Sequence, residues 1–253
     1  MKVLLATPLY SQHYDAGHFW LRALQQLGHL VHVWDYRLDG PRPPHLDYHP
    51  DVTVVLKGES INPEHLPRPC LCYWPDALER DPGVESRLRH YDGAFTPVRP
   101  TPSTMVWLPT GWDPMIHKDY NLERKVPTVY VGTANSDYKV KCIGGIKPAG
   151  LYGNGWGEPS KPVYLHDLVW VLNTGAILID VHQSPEVGLN RKFFEMIACG
   201  FTIVDRVPGV IDVLGEELAG EVSFISTEGA KKLIAHFLKC PEERNILWGL
   251  EKG

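Results

Sequence analysis

No apolar run in this 253-residue chain approaches the roughly 18 residues that a membrane-spanning helix needs, so no span is expected. Cysteine is scarce. The five thiols, Cys70, Cys72, Cys142, Cys199 and Cys240, are odd in number and widely spaced, which argues against a disulfide scaffold and fits a reducing compartment. Cys70 and Cys72 form a C-x-C pair, but no second pair lies at zinc-finger spacing; two ordinary thiols in a strand are the simpler reading. The dinucleotide fingerprint G-x-G-x-x-G is missing, since the loop after the first apolar run reads PLYSQHYDAGH, and so is the Walker pattern. Both absences lower NAD-dependent and ATP-hydrolysing readings. A basic excess is lacking too: 25 Lys and Arg face 30 Asp and Glu, a net charge of -5 without a basic tail. That weakens a nucleic-acid reading, although a local groove can be positive on an acidic protein.

What is present is the composition of a soluble globular protein, 43% hydrophobic and 22% charged. The start, MKVLLATPLY, reads as a buried strand rather than a secretion signal, so a cytoplasmic location is expected. Short apolar or β-branched runs at 3–7, 30–34, 52–56, 70–74, 94–96 and 105–108 are bounded by Pro, Gly and Asp and read as strands. Between the first two, Ala16, Trp20, Ala23, Leu24 and Leu27 share one face of a helix that Gly28 ends. The polar stretch HKDYNLERK, 117–125, reads as a break, after which the pattern restarts. Strands are expected at 128–131, 176–180, 201–204 and 222–225, with helices near 163–172, 191–198 and 230–238. The expected architecture is α/β: two Rossmann-like domains with mostly parallel sheets facing across a cleft. The boundaries are 1–117, a linker at 118–126, 127–240, and a tail at 241–253 able to form a helix that packs back on the first domain.

The informative stretch runs from Ser184 to Val204. Asn190 is suited to cap a helix whose free N–H groups would hold a diphosphate, and Arg191 lies at the same end. Glu195, one turn on, is placed to accept hydrogen bonds from a ribose diol; the alternative is an i,i+4 surface salt bridge between Arg191 and Glu195. Gly132, Thr133, Ala134 and Asn135 form the loop after the restarted strand. The stretch from Gly150 to Gly157 reads as a tight loop rather than a phosphate cradle, and Lys139 and Lys141 as solvent-exposed. In the first loop, Asp15, His18 and His13 are candidates for a general base, Asp15 being equally fit to orient a histidine or to cap a helix. The spacing of His13 and His18 is poor for a metal. Asp76 and Asp113 end strands, where they either line the cleft or stabilise turns.

Asn190-Arg191, Phe194-Glu195, Ala198 and Gly200 before an apolar strand resemble the donor-binding segment of spore-maturation-protein-B-like glycosyltransferases, a branch of the two-domain GT-B class. Trp74-Pro75-Asp76, Leu108 to Asp113 and Val131-Gly132-Thr133 add weaker similarities, so that the likeness extends over residues 3–240. It implies transfer of a sugar from a nucleotide-diphosphate sugar, a UDP-sugar, to an acceptor hydroxyl. Glu195 would hold the donor ribose, Arg191 and the helix start its diphosphate, and the Gly132–Asn135 loop would approach the phosphates. The class works without a metal, in agreement with the absence of any D-x-D triplet. The wider pattern of two glutamates with seven residues between them is not reproduced, because the first position is Val187, beside Glu186. The acceptor stays open among a small molecule, a cell-surface precursor, a protein and a modified DNA base, the last drawing on Arg37, Arg42, Arg68, Arg87, Arg89 and Arg99. Other readings are a sugar-nucleotide epimerase or phosphorylase-like enzyme and a non-catalytic nucleotide-binding module, as monomer or homodimer.

Overall fold

The computed structural model describes residues 1–9, 16–43, 49–75, 83–98, 101, 103–184 and 188–251. The chain divides into two compact units, Met1–Pro109 and Thr110–Gly253. The first holds β1 (Lys2–Ala6), α1 (Ala16–Gln26), β2 (Leu30–Trp34), β3 (Val52–Leu56), β4 (Cys70–Tyr73), α2 (Val84–Leu88), β5 (Gly93–Thr96) and β6 (Val106–Trp107). Its sheet runs β2-β1-β3-β4-β5-β6 with every pairing parallel. Successive side chains of a strand face opposite ways. Leu4 and Ala6 therefore join Trp34, Val55, Cys70 and Cys72 on one face, while Leu5 joins Leu56 and Tyr73 under Trp20, Leu21 and Leu24 of α1. Leu27, expected on the buried face of that helix, is 71% exposed. The helix ends at Gln26, because Gly28 turns the chain at φ 77. Cys70 and Cys72 are buried thiols of β4, and burial pushes Cys70 up to about 12.

The second unit holds β7 (Val126–Val131), α3 (Asp137–Ile146), β8 (Gly150–Tyr152), α4 (Leu165–Thr174), β9 (Gly175–Asp180), α5 (Arg191–Cys199) and β10 (Thr202–Asp205). α6 (Val210–Leu214), α7 (Glu216–Val222), β11 (Ser223–Phe224), α8 (Thr227–Lys239) and α9 (Pro241–Glu251) follow. The sheet order is β11-β10-β9-β7-β8, again all parallel. Tyr130, Ile177, Ile179 and Ile203 face Cys142, Ile143 and Phe237 of α3 and α8. Val129, Val131 and Leu178 face Val169, Leu172, Met196 and Cys199 of α4 and α5. The glycine-rich stretch expected as a plain loop opens with a strand, β8, and α3 begins at Ser136, whose side chain accepts the Lys139 N–H. Among the described residues no helix is long and apolar enough to cross a membrane.

Residues 110–125, read from the sequence as the end of the first domain and a linker, are tied into the second unit. Arg124 donates to the carbonyls of Leu172 (3.2 Å), Gly175 (3.2 Å) and Cys199 (2.7 Å), which end α4 and α5. The Tyr120 N–H donates to Asn173 Oδ1 at 2.7 Å, and Asn173 Nδ2 donates to the Lys118 carbonyl at 3.0 Å. The polar composition of this segment serves helix ends rather than water. The tail is helical, as α9, and it packs on α7 and α8. Trp248 Nε1 donates to the Ile197 carbonyl at 2.8 Å beneath the Arg124 guanidinium, and Glu251 Oε2 accepts the Thr202 N–H at 3.3 Å. These bonds anchor the tail to the second unit.

Candidate functional site

In the second sheet β7 connects to β8 on one side while its other neighbour, β9, connects to β10 on the opposite side. The β7/β9 boundary is the switch point, the place where open parallel sheets bind ligands outside the strands' carboxyl ends. β7 ends at Val131 and delivers Gly132 to Asn135; β9 ends at Asp180 and leads to α5. Two groups named from the sequence on separate grounds thus emerge from neighbouring strands. Asn190 caps α5, its Oδ1 accepting the Phe193 N–H at 3.2 Å, as expected.

The Gly132 loop is braced by the one after β8. Gly132 N–H donates to the Tyr152 carbonyl (2.9 Å), Ala134 N–H to that of Asn154 (2.9 Å), and Trp156 Nε1 to that of Gly132 (2.5 Å). Asn135 N–H donates to the Thr133 carbonyl at 3.0 Å. Most amides of this loop are therefore committed, which limits what it offers a phosphate to Thr133 and side chains. Gly153, at φ 134, lies where a Cβ would overlap the Gly132 carbonyl. At Gly132 a Cβ would stand 2.5 Å from the Tyr130 hydroxyl and 2.7 Å from Lys192 Nζ, so glycine opens the space into which Lys192 reaches. Lys139, expected in solvent, is buried and donates to Asn135 Oδ1 at 3.0 Å.

Glu195 departs most from expectation. The surface ion pair that the sequence offers as its alternative puts it at the exterior, yet it is 2% exposed, and every residue of α5 from Phe193 to Cys199 is buried. The i,i+4 bond exists, Arg191 Nε donating to Glu195 Oε1 at 2.8 Å, but the carboxylate end of it is internal. His117 explains the burial in part: its Nε2 lies 3.8 Å from the same oxygen, so the supposed linker covers this side of α5. Burial lowers His117 below the ordinary imidazole value, against the pull of Glu195 and Asp113 and with the help of Arg191. Asp113 is buried, with Oδ1 accepting the Met115 N–H at 2.9 Å and its carbonyl accepting from His117 at 2.8 Å, the turn-forming alternative. His18 sits in the first turn of α1, its Nε2 buried and without a hydrogen-bond partner among the described residues. Asp15, His13 and Asp76 lie outside the described residues, as do Glu186, Val187 and Arg99.

Sequence reasoning missed the charged cluster beneath the switch point. Asp180, His182 and Asp205 are buried. His182 Nδ1 is 2.6 Å from Asp205 Oδ1, and Lys192 Nζ is 3.6 Å from Asp180 Oδ1 and 5.1 Å from the Tyr130 ring centroid. Buried charges require partners, and these groups supply one another. A signal was available: Asp180-Val181-His182 places two polar side chains two apart at the end of an otherwise apolar strand.

The architecture is that of the two-domain GT-B class of glycosyltransferases. T4 phage β-glucosyltransferase superposes with a TM-score of 0.66 at 7% identity, covering 99% of this chain and 93% of that one. Further structures of the T4 phage enzyme hold UDP-glucose, or UDP and Mn2+, and a β-glucosyltransferase of similar fold is described as a DNA modifying enzyme. An α-glucosyltransferase in complex with UDP and a 13-mer DNA gives 0.52 at 14% identity over 81% and 78%. An α1,3-fucosyltransferase gives 0.56 at 9% over 97% and 80%. The profile of a family described as glycosyl transferase-like matches residues 134–248, so this chain carries a glycosyltransferase-like domain. No curated protein sequence matches the chain.

Proposed function

We propose that the protein transfers a sugar from a UDP-sugar to an acceptor hydroxyl without a metal, and that the donor binds at the carboxyl ends of β7 and β9. The observation that carries this reading is the meeting of the Asn190-capped start of α5 with the Gly132 loop at the switch point of the second sheet. A helix start offers N–H groups and a positive dipole end to a diphosphate. Thr133 and Asn135 are exposed beside it. Arg191 contributes charge while holding Glu195 Oε1, and Glu195 Oε2 accepts a ribose hydroxyl. Support also comes from the likeness of residues 188–204 to the donor segment of the spore-maturation-protein-B-like branch. Asp15, His18 or His13 serves as the general base, and Asp76 is a further candidate for the acceptor side; the Nε2 of His18, buried without a partner among the described residues, favours His18. Calorimetric titration with UDP-glucose, with and without Mn2+, tests the reading. Selective binding of the uridine nucleotide without metal is expected, and absence of binding by the folded protein sinks it.

A hydroxylated base in DNA is the acceptor reading that the fold matches favour, since a β-glucosyltransferase among them is a DNA modifying enzyme and an α-glucosyltransferase among them holds DNA. Arg37, Arg42, Arg68 and Arg89 of the first unit are all exposed, Arg37 being paired with Glu59 and Arg68 with Asp92.

A further inference from the structure

The carboxyl ends of β9 and β10 hold a buried histidine that the donor reading leaves unused. His182 is 1% exposed. Its main-chain N–H donates to both oxygens of Asp205 at 3.0 and 3.2 Å, and its Nδ1 lies 2.6 Å from Asp205 Oδ1. Asp205 thereby fixes the ring and draws the proton of the neutral imidazole to Nδ1, which leaves Nε2 an acceptor. That nitrogen receives the main-chain N–H of Asn190 at 3.3 Å. Asn190 is the residue that caps α5. The end of β10 holds the ring, and the ring holds the start of the helix.

We propose that His182 is a positioning residue for the donor site: its neutral ring anchors the entry into α5 through Asn190 and releases that anchor on protonation. The effect on donor binding rests on the function proposed above; the anchoring bond does not.

A proton on Nε2 is incompatible with an N–H aimed at the same atom, but it has another place to point. Asp180 Oδ2 is 3.5 Å away, and neither oxygen of this fully buried carboxylate has a hydrogen bond among the described residues. Among the described residues, the charged and titratable groups around the ring are Asp180 from β9, Asp205 from β10 and Lys192 from α5. Tyr138 of α3 donates to Asp205 Oδ2 at 3.3 Å, and the Tyr130 ring of β7 lies under Lys192. Burial lowers the basicity of His182, but Asp180 and Asp205 outweigh it and hold the ring above the ordinary imidazole value. The protonated ring therefore stabilises the fold fully below about pH 6.5, and this contribution is lost as pH rises through the folded value. The Asn190 anchor runs the other way, forming only as the proton leaves. Stability and helix positioning change in opposite directions over one interval, which a merely structural histidine would not produce.

The test uses the full chain labelled with 15N, first without nucleotide. The Asn190 amide resonance is expected to move in step with the titration of the His182 ring, and UDP-glucose affinity to rise several-fold as the ring loses its proton. H182Q, whose amide oxygen replaces Nε2 as acceptor and gains no proton, is expected to keep the affinity and lose its pH dependence. H182L is expected to bind more weakly at every pH while remaining folded by circular dichroism; if it does not fold, H182Q decides. An Asn190 amide indifferent to the ring titration, or a pH dependence of affinity that persists in H182Q over the interval in which the wild-type His182 ring titrates, overturns the proposal. Failure of the wild type to bind UDP-glucose at any pH removes the donor reading instead, while the Asn190 titration still decides the anchor.

Discussion

Arg191 Nε donates to Glu195 Oε1 at 2.8 Å, and the two ends of this bond occupy different surroundings: the arginine side chain is 34% exposed and the carboxylate 3%. Removing the carboxylate leaves a buried hole and an arginine that can still reach water. Glu195→Ala is therefore expected to cost about 2 kcal/mol of stability, readable by chemical denaturation. Glu195→Gln keeps the volume and an acceptor for Arg191. It should fold normally yet bind UDP-glucose roughly tenfold more weakly, a loss of about 1.4 kcal/mol. Unchanged affinity in the Gln variant would remove Glu195 from the donor site.

Arg124 closes the carbonyl ends of α4 and α5 and lies over Trp248, with its guanidinium 5.0 Å from the ring centroid. Arg124→Met keeps much of the packing but leaves those carbonyls without their charged donor. The expected loss is about 2–3 kcal/mol from the second unit. Protease digestion should then free residues 110–125 early. A variant as resistant as the wild type would show that water replaces the guanidinium at little cost.

Gly132 and Gly153 oppose each other, and their substitutions should separate. Gly153→Ala forces a side chain into the Gly132 carbonyl at a φ of 134 that alanine rarely adopts, so it should unfold the loop pair and lower the melting temperature markedly. In Gly132→Ala the Cβ meets the Lys192 ammonium, the movable end of a long side chain, and the Tyr130 hydroxyl. Donor affinity should fall more than stability. Equal effects of the two variants on melting would contradict this assignment.

His117 gives a second pH window with the opposite sign from His182. Its folded value is depressed by burial first, Arg191 adding to this and Glu195 and Asp113 opposing it. A depressed value means that the unfolded chain takes up protons more readily. This contribution to stability is fully present above about pH 6.5 and is lost as pH falls through the folded value. Urea unfolding of His117→Gln should lose less stability than the wild type between neutral and mildly acidic pH. Parallel curves for the two proteins would exclude His117 as the source.

If hydroxylated DNA is the acceptor, the exposed arginines of the first unit contribute through phosphate contacts, and transfer should weaken steeply with added salt. Arg42→Ala and Arg89→Ala should lower that salt dependence while leaving UDP-glucose affinity alone. Transfer to DNA that ignores salt would speak against an electrostatic groove.

The sequence by itself determined the local elements and their order. Apolar runs of strand length, the Gly28 stop and the Asn190 cap are interactions within a few residues, and all of them formed. β8, α2, α3, α6 and α7 escaped notice: β8 is only three residues long, α2, α6 and α7 span five to seven residues, and α3 is announced by a single capping serine. Tertiary structure alone decided the surroundings of each polar group. Nothing local shows that Arg124 will meet the Cys199 carbonyl 75 positions away, or His182 meet Asp205 23 positions away. A charge placed on a helix looks exposed until another segment covers it, as His117 covers Glu195. Burial is a property of the assembled sheet and helices, and it turns a surface ion pair into an internal one and a polar linker into a brace for two helix ends.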